Sequence, residues 1–190
     1  MRSLLVTEGS RPSGAFLSFF LALSLAAVTS TGCGEQHAAT ADTSPPAPSL
    51  DNTFESPEAV SRAVLSALEA GDYETLRSYA LSEEEFRRVV WPELPASRPG
   101  RNVPLSYAWG DLNQKSTNRL RGLIATRGGQ RYDLSQVGFE GETTRHETFK
   151  VHRDSILVIR SEKDGVATVK LFGSMIERDG RYKLFSYNVD

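Results

Sequence analysis

The sequence predicts an α+β domain in which N-terminal helices pack on a curved antiparallel sheet. Three observations predict it. Apolar residues recur at helical spacing between Val60 and Ile124. From Arg131 onward the period changes to two. Finally, Arg178-Asp-Gly-Arg181 joins two apolar runs with a two-residue hairpin signal.

Each element follows from local chemistry. Ser56-Pro57 opens the first helix, with serine as N-cap and proline at the first helical position. Val60, Val64, Ala67 and Leu68 form its apolar face, and Gly71 ends it. Asp72 caps a second short helix that turns Leu76, Tyr79 and Ala80 inward. Ser82-Glu-Glu-Glu85 is a capping box, followed by the apolar face Phe86, Val89 and Val90. Trp91-Pro92 should stop that helix. The proline-rich stretch Glu93 to Pro104 reads as a loop.

A longer helix spans about Ser106 to Arg127, with Leu112, Leu120, Leu123 and Ile124 as its stripe. Asp111, Lys115 and Arg119 form a charge ladder on another face, and Gly128-Gly129 closes the helix. In the first strand Tyr132 and Leu134 are out of phase with Val137 and Phe139, which predicts a bulge near Gln136. Phe149 and Val151 belong to a second strand. Ser155 to Arg160 is nearly all aliphatic, the pattern of a central strand buried on both sides. Val166–Glu177 and Arg181–Val189 then pair about Asp179-Gly180. That register places Leu171, Met175 and Leu184 on one face and Phe172, Ile176, Phe185, Tyr187 and Val189 on the other. A sheet apolar on both faces needs helices on one and a pocket, partner or curled sheet on the other.

The first 32 residues read as a secretory signal. Arg2 and Arg11 precede Ala15–Val28, 14 uncharged residues, too short to cross about 30 Å of hydrocarbon as a helix. Small residues then lead to Cys33, the single cysteine of the chain. Gly32-Cys33 resembles the lipobox of bacterial lipoproteins, although Ser30 stands where that pattern usually has an aliphatic residue. The resemblance implies acylation of Cys33, cleavage before it, and a membrane held through the lipid anchor. A lone cysteine in a secreted chain forms no internal disulfide, and thioether lipidation accounts for it. Several acyl chains anchor stably where one does not. Gly34 is not the aspartate of the inner-membrane retention signal, which implies the outer membrane where the cell has one. Residues 33–55 then form the lipidated cysteine and a disordered tether, poor in large apolar side chains. The tether has a reach of roughly 25 Å. The globular domain occupies residues 56–190.

Pro57-Glu-Ala-Val, Ala67-Leu-Glu-Ala-Gly-Asp-Tyr-Glu-Thr-Leu76 and the closing Gly180-Arg-Tyr-Lys-Leu-Phe-Ser-Tyr187 are similar to the nuclear transport factor 2-like superfamily. There a helix pair closes over a cone of strands. The resemblance implies either a ligand- or protein-binding domain or an enzyme of the ketosteroid isomerase-like or polyketide cyclase-like type, with a carboxylate or histidine as general base.

Candidate chemistry is sparse. Asp111, beside Tyr107 and Trp109, is the first candidate base, set against its place in the charge ladder. His146 is the second. His146 and His152 would stand about 20 Å apart on one strand face, too far to share a metal. Phe172, Phe185 and Tyr187, with Tyr107 and Trp109, are candidate ligand contacts. No metal cluster, cofactor motif or nucleophile elbow is present in the sequence. A net charge of −2 gives no electrostatic case for nucleic acid. Three readings follow: a non-catalytic envelope lipoprotein that binds a small apolar ligand, peptide or envelope protein; an isomerase- or cyclase-type enzyme; or a structural homodimer.

Overall fold

The computed structural model describes residues 49–189. Cys33, the expected signal segment and most of the expected tether lie outside the described residues. The architecture is α+β, with helices and two antiparallel sheets.

Helix α1 (Pro57–Ala70) starts where Ser56 Oγ accepts the Ala59 N–H at 3.1 Å. It ends at Gly71, whose φ of 66° lets its N–H return to the last turn. Val60, Val64 and Leu68 are fully buried along one side. Helix α2 (Tyr73–Ser78) is capped by Asp72, and Leu76 is its buried residue. The capping box forms at Ser82 and Glu85, but α3 (Glu83–Glu85) is a single turn. The chain then slips into a π turn over Phe86–Val90 and 3-10 turns over Trp91–Glu93 and Pro95–Ser97. Trp91 N–H bonds Phe86 O, five residues back, so the ladder widens just ahead of Pro92, which has no N–H to offer. The expected stop at Trp91-Pro92 is thus a loosening of the helix, and the expected loop after it carries two short turns.

Helix α4 (Leu105–Arg127) matches its predicted span to one residue. Its stripe divides between two hydrophobic clusters: Leu120, Leu123 and Ile124 join the main core, and Leu112 joins a second. The charge ladder is half formed. Lys115 reaches Asp111 at 2.8 Å, but Arg119 donates to the Lys170 carbonyl at 3.2 Å.

One sheet contains β1 (Tyr132–Phe139), β4 (Ser155–Ser161) and β5 (Gly165–Val169), in the order β1-β4-β5. Its β1–β4 register passes from Leu134↔Ile159 to Gln136↔Val158, so Ser135 is the extra residue. This bulge restores phase, and Tyr132, Leu134, Val137 and Phe139 all face the main core. The central position of β4 is as expected; burial on both sides is not. Leu157 and Ile159 are buried, whereas Ile156 and Val158 on the opposite face are half-buried. Aliphatic β-branched residues suit a pleated strand whether or not both faces are covered, so composition overstated burial here.

The second sheet contains β2 (Thr144–Arg145), β3 (Lys150–His152), β6 (Met175–Arg178) and β7 (Arg181–Leu184), in the order β2-β3-β6-β7. The β6–β7 hairpin has the expected register, Arg178↔Arg181 and Met175↔Leu184. Asp179 and Gly180 both take positive φ, 52° and 71°, as a type I′ turn requires. The strands are shorter than expected, and that changes the faces. Residues 170–174 leave the ladder, and Gly173 N–H crosses to Ser186 O at 3.3 Å. A side chain at Gly173 would collide with the Asn188 carbonyl. Outside the short β6–β7 ladder the residues no longer alternate between the two clusters. Phe172 and Tyr187, expected on the second face, join Leu171, Met175 and Leu184 in the main core. Ile176 and Phe185 alone of the expected set pack in the second cluster, with Phe86, Val89, Val90 and Leu81.

The last residues of the expected tether are among those described. Leu50, within the predicted tether, packs on the second cluster, and Phe54 forms a bridge to Tyr182. Both large side chains of this five-residue stretch meet the domain.

Candidate functional site

A cleft of about 400 Å³ opens between α2, the Ala80–Glu85 segment and α4. Helical spacing builds one wall: Trp109, Leu112, Asn113, Ser116, Thr117 and Leu120 fall on successive turns of α4. Arg77 and Ser78 of α2 stand across from them. Lys183, Phe185 and Tyr187, from the end of the hairpin, form the floor, and Asp51 and Asn52 border the opening.

The floor is held by a buried ion pair. Lys183 Nζ lies 2.9 Å from Glu85 Oε1, with the side chains 2% and 5% exposed. Lys183 also donates to the Asp51 carbonyl at 2.7 Å. Glu85 accepts the Asp51 N–H on Oε1 and the Ser82 N–H on Oε2, both at 2.7 Å. Burial pushes the Glu85 carboxyl up, but the hydrogen bonds from Ser82 and Lys183 and the Lys183 charge outweigh it, so its pKa is below the ordinary value. With both oxygens engaged, Glu85 organises the cleft and is not poised to take a proton. Tyr187 is equally committed. Its hydroxyl donates to the Leu76 carbonyl at 2.7 Å, its N–H donates to Ser116 Oγ at 3.0 Å, and burial raises the phenol above its ordinary range.

Of the residues picked from sequence, Trp109, Phe185 and Tyr187 come together at this cleft. The others do not. Tyr107 is 69% exposed, and Phe172 is sealed in the main core. Asp111 is exposed on α4, paired with Lys115 and outside the lining. His146 sits in the turn between β2 and β3, stacked on Phe149 at 4.4 Å between ring centres. His146 and His152 do not share a strand as expected, because the chain reverses between them. Glu85 and Lys183 were missed as site residues. The one available signal was a charged Lys183 inside an apolar strand, opposite Ile176.

A second polar cluster lies outside the cleft. His152 Nε2 is 2.8 Å from Glu177 Oε2, and Lys150 Nζ is 2.6 Å from Glu177 Oε1. Thr143 Oγ1 is 3.1 Å from His152 Nδ1, and the ring lies between Phe139 and Tyr182. Burial raises the Glu177 carboxyl, and the hydrogen bonds and charges of Lys150 and His152 bring it below its ordinary value. This network ties β3 to β6.

The cleft offers hydroxyl, amide and aromatic groups around a neutralised floor. No histidine is among its lining residues. Among the described residues, no group of three or more His, Cys, Asp or Glu is placed to hold a metal ion. Comparison with known proteins finds no matching family model, no matching curated protein and no matching solved structure.

Proposed function

We propose that this chain is an envelope lipoprotein, anchored through Cys33, whose domain is a non-catalytic binding module. Its cleft takes a small ligand or peptide segment with an apolar body and hydrogen-bonding groups. The cleft itself carries the reading. It is within the size range of small-molecule sites, and it combines Trp109, Leu112 and Phe185 with the polar groups of Asn113 and Thr117. The two candidate bases, Asp111 and His146, lie outside it, and Glu85, among the carboxylates that line it, is tied to Lys183. We further infer a nuclear transport factor 2-like cone. The support is the helix pair α1–α2 that opens the domain, and the bulge that bends β1. Fold alone would not assign an activity.

The test is native mass spectrometry of the full chain purified in detergent, beside a Thr117→Trp variant that fills the cleft from its rim. A copurified species on the wild type, lost from a folded Thr117→Trp protein, is the expected result. A bound species that survives Thr117→Trp would place binding elsewhere. The anchor is tested separately with labelled fatty acid, and label retained on Cys33→Ser would overturn it.

A further inference from the structure

We propose that strand β5 is a pairing edge for a second copy of this chain. Sheet edges left open invite another strand, and proteins blunt them with bulges, short strands or covering segments. Three of the four edges here are blunted in that way. β1 carries the Ser135 bulge, and β2 is two residues long. β7 is covered by bridges to Phe54 and Ala80. β5 differs: it runs in unbroken register against β4 from Val169↔Leu157 to Gly165↔Ser161, contains no proline, and has no strand on its other side among the described residues. Val166 on this strand is 60% exposed; it lies across from Arg160 and diagonal to the half-covered Val158 on the open face of the sheet.

The occupant follows from symmetry and charge. Two antiparallel copies of one edge are related by a two-fold axis perpendicular to the sheet, which keeps both core faces on the same side. The register centred on Ala167 pairs all five residues of β5 with their counterparts. It sets Val166 beside the partner's Thr168. Just beyond each strand end, it sets Asp164 opposite the partner's Lys170. Asp164 already lies 3.6 Å from Arg127, and Lys170 lies 2.8 Å from Glu140. Each end of the joint would therefore read Arg127, Asp164, Lys170, Glu140 across the two copies, a row of alternating sign. Opposite charges directly across strands favour pairing, and like charges oppose it.

Sedimentation equilibrium of the full chain in detergent solution tests this by charge reversal. The wild type should be dimeric, with the amides of β5 protected from exchange. Asp164→Lys and Lys170→Asp should each raise the dimer Kd roughly tenfold or more, because each creates two like-charge contacts. Combining both reversals should restore most of the dimer, because the contact across the joint again joins opposite charges, while the like-charge contacts with Arg127 and Glu140 lie within each copy and are present whether or not the copies pair. Circular dichroism confirms that each variant is folded. A wild type that is monomeric up to about 100 µM overturns the proposal. So does a dimer indifferent to the single reversals, which would use another face. Protection of β5 only when a different protein or peptide is added would also overturn it, in favour of a heterologous strand.

Discussion

Glu85 serves three partners at once: it closes a capping box, pairs with Lys183 and accepts from Asp51. Buried charges gain little over well-packed apolar residues, but stranding one is costly. Glu85→Ala should therefore destabilise the domain by about 3–5 kcal/mol in denaturant unfolding. Glu85→Leu combined with Lys183→Met should recover most of that loss. If Glu85→Ala costs under about 1 kcal/mol, the pair is solvated and the floor is not dry. The pH dependence has a definite sign. Because the folded-state pKa of Glu85 lies below its ordinary 4.5, its contribution is fully present above pH 4.5 and lost as pH falls through the depressed value. Wild-type unfolding should thus grow easier with acidification below pH 4.5, and the acid-side slope should shrink in the double variant. Glu177, also depressed, adds to the wild-type slope and remains in the variant as a background.

At the level of elements, β4 and α4 both contribute to the main core, beside the larger share of α1. Leu157 is fully buried between β1 and β5, facing the cluster that includes Leu120 and Leu123. Leu157→Ala should cost about 2–5 kcal/mol. Asp111→Asn, on the exposed side of α4, should cost less than about 1 kcal/mol, because an exposed i,i+4 pair contributes little. Urea midpoints of the two variants check both. A nearly neutral Leu157→Ala would mean that β4 is not central. A clearly stabilising Asp111→Asn would mean that Asp111 is held in an unfavourable setting, as functional acids often are. The π turn at Phe86–Val90 supplies Phe86, Val89 and Val90 to the second cluster, where the Phe86 and Trp109 rings lie 5.5 Å apart.

Across the whole molecule, the chain entering at Leu50 is part of the domain and of its cleft. Asp51 supplies backbone groups to both members of the buried pair, and Arg181 donates to the Thr53 carbonyl at 2.7 Å. Phe54 adds a strand-like bridge to β7 and an edge-to-face contact with Tyr79 at 5.2 Å. A chain beginning at Glu55 should therefore unfold at lower denaturant than one beginning at Ser49. The expected loss is about 2 kcal/mol or more, from the burial of Leu50 and Phe54 alone. Equal midpoints would show that the segment only rests on the surface.

By itself the sequence determined the elements whose causes are local. The caps at Ser56, Asp72 and Ser82, the stop at Gly71, the span of α4, the bulge in β1 and the register of the Asp179-Gly180 hairpin all depend on a few neighbouring residues. Trp109, Phe185 and Tyr187 were legible as contacts because aromatic residues on apolar faces announce themselves. Tertiary structure alone decided what those faces meet. Strict alternation ends with the short β6–β7 ladder, and beyond it Phe172 is buried in the main core while Phe185 reaches the cleft. The Glu85–Lys183 pair spans 98 residues, and no local pattern encodes such a partner. A carboxylate in a capping box and a lysine in a strand look solvated until the fold brings them together and excludes water, and only then does their pairing become strong.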